Sequence, residues 1–157
     1  MRWLLLTAFG FLIVGSVVSW GQTASALVNL RVRLLNYKTG RPLKGRYVEL
    51  LLSGPDGKFP NHPGLMRAET DANGVAEFRF ETIPPPRVWV LPLDDYACAQ
   101  QVEFATSDIH QRGIAASYVD DSYCKPHATR LPNPQPGEVI YPVHRLNLWQ
   151  RFVRGLE

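Results

Sequence analysis

Four histidines, two cysteines and two aspartate doublets are the groups in this chain that could carry metal, redox or acid–base chemistry. His62, His110, His127 and His144 stand far apart. Neither an H-E-x-x-H nor a C-x-x-C spacing, either of which would gather ligands for zinc, is present. Asp71-Ala72-Asn73-Gly74 has the start of a calcium loop but lacks the later ligand position and the distal glutamate. A tight turn accounts for it. Asp94-Asp95 and Asp120-Asp121 are adjacent pairs, and neighbours on an extended strand point to opposite faces, so neither doublet makes an acid–base pair. The chain holds no G-x-S-x-G and no phosphate-binding glycine loop. The expectation is a chain with no catalytic residue, no bound metal and no cofactor.

Cys98 and Cys124 are the only cysteines, and what they do depends on where the chain works. Arg2 is the only charge in the first thirty residues. An apolar run follows from Trp3 to Trp20, interrupted by Thr7, Gly10, Gly15 and Ser16, and then the small triplet Ala24-Ser25-Ala26. A basic start, an apolar middle and an A-x-A site are the parts of a secretory signal, with cleavage expected after Ala26. The competing reading is a retained N-terminal membrane anchor, because the run is near the lower limit for a spanning helix. Export to the periplasm or beyond places both cysteines in an oxidising compartment, and a structural disulfide is expected. The rivals are a redox pair or half of a metal site. A bridge between them would stabilise the fold by about 3.5 kcal/mol through loop-closure entropy.

The part after Ala26 is the size of one domain. The net charge of +3, one unit of it from Arg2, is too small for diffuse nucleic-acid binding. Val28, Leu30, Val32 and Leu34 alternate with Asn29, Arg31 and Arg33, and Val48, Leu50 and Leu52 repeat the period of two. Lys58 to Gly64 carries two prolines and reads as a surface loop. Asn73-Gly74 is a hairpin signal, followed by Ala76, Phe78 and Phe80 on one face. Val88 to Leu91 is nearly continuous in apolar character, which puts Trp89 in the core. Gln101 to Phe104 and Ile114 to Val119 read as extended, and residues 120–137, with four prolines, as a loop. Val139 to Val143 is a last strand, weakened by Pro142, which points to a sheet edge. About seven short strands predict an all-β sandwich over residues 27–145.

Residues 146–157 alone read as a helix. Leu146, Trp149, Val153 and Leu156 share a face widened by Leu148 and Phe152, while Arg151 and Arg154 lie on the other side. So short a helix must dock somewhere. Self-packing on the sandwich, a partner's groove and a membrane surface are the three options.

The order strand, Thr39-Gly40-Arg41-Pro42-Leu43, strand, Thr70-Asp71-Ala72-Asn73-Gly74-Val75-Ala76-Glu77-Phe78, strand resembles the carboxypeptidase-regulatory-like, or transthyretin-like (prealbumin-like), β-sandwich. The resemblance implies that fold, and its motifs are turn chemistry. The second half, from Cys98 through Thr106-Ser107-Asp108-Ile109 and Cys124 to Leu146-Asn147-Leu148-Trp149, is similar to small exported proteins of acidobacterial type with one such domain. Two activities known on related sandwiches do not carry over. A urate-pathway hydrolase ends in Tyr-Arg-Gly-Ser, where this chain has Val153-Arg154-Gly155-Leu156. Intradiol dioxygenases hold ferric iron with two tyrosines and two histidines, and Tyr118, Tyr123, His127, Tyr141 and His144 lack the spacing.

The expected function is therefore an exported, non-catalytic interaction or scaffolding module of the cell envelope, engaging a protein partner through Arg145, Trp149, Arg151 and Phe152. The alternative is a carbohydrate-binding accessory domain stacking sugars on Tyr96, Tyr118 and Tyr123. An enzyme of another type is the third.

Overall fold

A computed structural model describes residues 28–93, 95–119, 124 and 131–150. Two sheets pack face to face in an all-β sandwich. The first contains β1 (Val28–Asn36), β4 (Val75–Phe80), β6 (Tyr96–Ala97), β8 (Ile114–Ala115) and β9 (Glu138–His144); the second contains β2 (Tyr47–Leu52), β3 (Gly64–Glu69), β5 (Arg87–Pro92) and β7 (Glu103–Ala105). The order in the first sheet is β4-β1-β9-β6, with β8 also on β9, and in the second β3-β2-β5-β7.

The period-two residues do what their spacing demands. Leu30, Val32 and Leu34 from β1, Ala76, Phe78 and Phe80 from β4, and Val139, Tyr141 and Val143 from β9 turn inward onto Val48, Leu50, Val88, Val90 and Phe104 of the second sheet. Each leucine, valine or phenylalanine among them contributes about 1.5–3 kcal/mol when fully buried. Phe104 and Tyr141 meet edge to face across the sheets, with ring centroids 6.2 Å apart.

The Asn73-Gly74 turn forms, but the strands it joins do not pair with each other. β3 pairs β2 and β4 pairs β1, so the turn carries the chain from one sheet to the other. The tight hairpin turn expected from Asn-Gly needs positive φ at both central residues, and here Gly74 has φ 73° while no non-glycine residue among the described residues has positive φ. Asp71 Oδ1 instead accepts from the backbone N–H of Asn73 and Val75, at 2.8 and 2.9 Å. Buried Thr70 locks the approach, donating to Leu43 O at 2.6 Å and accepting from Arg46 N at 2.9 Å.

Pro142 does not mark an edge. β9 is a central strand, parallel to β1 on one side and flanked by β6 and β8 on the other. The carbonyls of Ile140 and Pro142 point away from β1 and accept from Ala116 N and Cys98 N, each at 2.9 Å. The proline nitrogen faces the same way, where the neighbouring segment changes from residues 114–116 to 96–98. A central proline is tolerated because that side of the ladder is already interrupted.

One helix escaped the sequence reading: α1 (Thr106–Arg112), between β7 and β8. Buried Ile109 pins it to the core, and its carbonyl accepts from Gly113 N and Gly137 N. The Cys98–Cys124 disulfide is formed, with Cα atoms 5.5 Å apart and both side chains fully buried. Such a bridge is compatible with an oxidising, exported environment. No helix of the described residues is long and apolar enough to cross a membrane.

Candidate interaction surface

β9 leads directly into the C-terminal segment. His144, its last residue, packs edge-on against Tyr37 with centroids 5.2 Å apart, holding the exit of the strand against the turn after β1. Arg145 is exposed and Leu146 is buried. Leu146 is not the first helical residue, as its periodicity suggested. Asn147 is the cap: its backbone N–H donates to Gln150 Oε1 at 2.9 Å, and Gln150 N–H donates to Asn147 Oδ1 at 2.8 Å. This reciprocal pair is a capping box, which satisfies two backbone donors that a helix start would leave open. Residues 148–150 are helical. The Asn147-x-x-Gln150 spacing was the sequence signal for this start, and apolar periodicity alone hid it.

The cap fixes how the next two residues are presented. Leu148 is 86% exposed and Trp149 70% exposed, both of them large apolar side chains. Arg145, Leu146, Asn147 and Leu148 line a depression of about 350 Å³ beside them. Arg151 and Phe152, also expected in the partner-binding face, lie outside the described residues, as do the expected cleavage residues Ala24 and Ala26.

The aromatic residues expected to stack on sugars are placed differently. Tyr96 is half-buried on β6, opposite His144. Tyr118 is half-buried opposite Ala99, and burial pushes its phenol up from the ordinary value. Tyr123 lies outside the described residues. Tyr141 is fully buried between the sheets, which also raises its phenol pKa.

Trp89, expected in the core, lies instead on the outer face of the second sheet, because Val88 and Val90 take the inward positions on β5. It is half-buried there, with Phe59 from the loop after β2 packed on it at 4.6 Å between centroids. Its Nε1–H donates to Glu103 Oε2 at 3.0 Å, and Arg87 pairs with the other carboxylate oxygen. These two donors, the indole first, hold the Glu103 carboxyl below the usual range. A polar cleft of about 300 Å³ runs from this group past Gln101 to Asp108 and Arg112.

The remaining buried charges are tied up within the fold. Glu138 meets Arg33 at 2.8 Å and accepts from Gln135 N at 3.0 Å, and Asp95 meets Arg46 at 3.3 Å. Among the described residues no three His, Cys, Asp or Glu side chains come together as a metal set. No family model, curated protein or solved structure matches the chain.

Proposed function

We propose that this chain is an exported, non-catalytic interaction module of the cell envelope, a transthyretin-like sandwich that follows a signal segment cleaved after Ala26. The observation that carries the reading is the display of Leu148 and Trp149 immediately after a capped helix start. Exposed tryptophan and leucine side chains on a capped turn cost hydration free energy, and tryptophan is the side chain most enriched where proteins concentrate binding energy. The partner class is a protein with an apolar cleft that takes the Trp149 ring, with Arg145 at the rim.

The experiment is in-cell crosslinking from the envelope. The intact chain is compared with a Leu148→Ala/Trp149→Ala chain, whose substitutions leave buried Leu146 and the cap in place. One protein recovered by the first and lost by the second supports the reading. Equal recovery by both removes the tail from it.

A further inference from the structure

Each sheet of the sandwich leaves one long strand at its margin, β3 in the second sheet and β4 in the first, six residues each. The strands at the other margins have two or three residues. Among the described residues only β2 lies beside β3, in one-to-one register from Tyr47 with Glu69 to Leu52 with Gly64. Edge strands are ordinarily guarded by proline, lysine, a bulge or an inward-pointing charge. β3 has none of these. Its sequence is Gly-Leu-Met-Arg-Ala-Glu, and the side chains it turns toward the core are Met66 and Ala68.

Thr70 fixes which backbone groups point outward. Its N–H donates to Arg46 O at 2.8 Å and its carbonyl accepts from Gly45 N–H at 2.9 Å, so it faces β2. Backbone groups alternate in direction along an antiparallel strand. Ala68 and Met66 therefore also face β2, whereas Leu65, Arg67 and Glu69 turn their N–H and C=O groups toward the open side. The side chains of Arg67 and Glu69 are exposed on the outer face of the sheet, and neither joins an ion pair among the described residues. The Arg67 guanidinium lies over the Tyr47 ring at 4.3 Å, which keeps it on that face. The β4 edge differs on both counts. Its Glu77 and Arg79 pair with each other at 3.6 Å, and Val75 O is taken by Asp71 N–H at 2.9 Å.

An arginine and a glutamate two residues apart on one edge are complementary to their own reverse. In a two-fold antiparallel pairing the centre falls on a residue, because side chains directly opposite each other share a face. Centred on Arg67, the two arginines meet. Centred on Met66, Arg67 meets Leu65. Centred on Ala68, Arg67 of each copy meets Glu69 of the other, and both pairs are of the kind that exchanges two backbone hydrogen bonds. Glu49, opposite Arg67 on β2, then stands on the arginine's other side. The ladder ends at Asp71, whose N–H is already given to Val75 O.

We propose that the β3 edge binds a second copy of this chain, antiparallel about Ala68, and joins the second sheets of the two copies into one. So short a ladder makes a weak, reversible dimer. β3 belongs to the second sheet and the tail follows β9 of the first, so the pairing does not rest on the tail reading.

The test is sedimentation velocity on the full-length chain, recovered from cells with its disulfide intact in density-matched neutral detergent, from about 1 µM to about 1 mM. The intact chain is expected to be dimeric at the upper end of that range. Arg67→Glu brings two carboxylates together across the pairing, and Glu69→Arg brings two guanidinium groups together. Each alone should raise the dissociation constant at least about tenfold. An equimolar mixture of the two variants should dimerise again, because every pair between the copies is then opposite in sign. An unchanged melting temperature confirms each variant as folded. Glu69→Arg leaves Arg67 facing Glu49, so it alone keeps the test decisive if Arg67→Glu does not fold. A monomer at every concentration overturns the proposal. Association that Glu69→Arg does not weaken overturns it too, as do two folded variants that stay apart when mixed.

Discussion

Asn147 and Gln150 hydrogen-bond to each other in both directions, backbone to side chain, at 2.9 and 2.8 Å. The pair sets the point at which the chain turns helical and hence the direction in which Leu148 and Trp149 face. Asn147→Ala removes one arm of the box and is expected to cost about 1 kcal/mol of local helix stability. Amide exchange at Gln150 should accelerate while the melting temperature of the sandwich stays unchanged. A large loss of global stability would mean that the cap holds the sandwich rather than the tail.

Gly113 and Gly57 make a matched test of backbone space. Both have positive φ, 69° and 76°. A Cβ on Gly113 would lie 2.2 Å from Gln135 O, whereas on Gly57 the nearest atom is Pro86 Cβ at 4.0 Å. Gly57→Ala should cost only the left-handed conformation, about 1–2 kcal/mol. Gly113→Ala must also push the backbone of residue 135 away, and is expected to cost on the order of 4 kcal/mol or more. Urea denaturation of the two variants checks the order, and equal losses would contradict the close packing of α1 against the segment before β9.

Reduction of Cys98–Cys124 should lower stability by about 3.5 kcal/mol, the loop-closure value for a bridge of this span. Urea midpoints with and without reductant measure it. Both thiols should resist alkylation before reduction, and modification of the native protein would show that the bridge is not formed.

Asp71 ties the turn between the sheets to pH. The Val75 N–H is the main cause that holds its carboxyl below the ordinary value of 3.8. A carboxyl lowered in the folded state contributes stability that is present above its unfolded pKa and lost as pH falls through the folded one. Stability should therefore decline below about pH 4, and Asp71→Asn should flatten that part of the profile. An unchanged acid limb in the variant would remove the Asp71 turn as its source.

Much of the sandwich was legible in the sequence because period-two patterns report faces directly. Leu30, Val32 and Leu34 could only share one side, and the structure buries that side. Pairing was harder to read, since alternation says which face is apolar and not which strand lies beside it. Asp71–Gly74 thus looked like a hairpin and is a crossing between sheets. Pro142 looked like an edge and sits in a central strand, because its missing N–H faces a place where the neighbour changes. Trp89 misled for another reason: a continuous apolar run suggests burial on both faces, and here the second face is covered by Phe59 from a loop that no periodicity announces. The α1 stretch is too short, at seven residues, to show two turns of helical spacing.

Recognition of a protein by the Leu148–Trp149 end is open to direct test. Its most direct measurement is envelope crosslinking with the intact chain and with Leu148→Ala/Trp149→Ala, both confirmed as folded by an intact disulfide and an unchanged melting temperature. One protein should be crosslinked by the intact chain and reduced at least about tenfold in the double variant, as loss of a buried tryptophan anchor would give. Equal crosslinking of the same protein by both folded chains would contradict it.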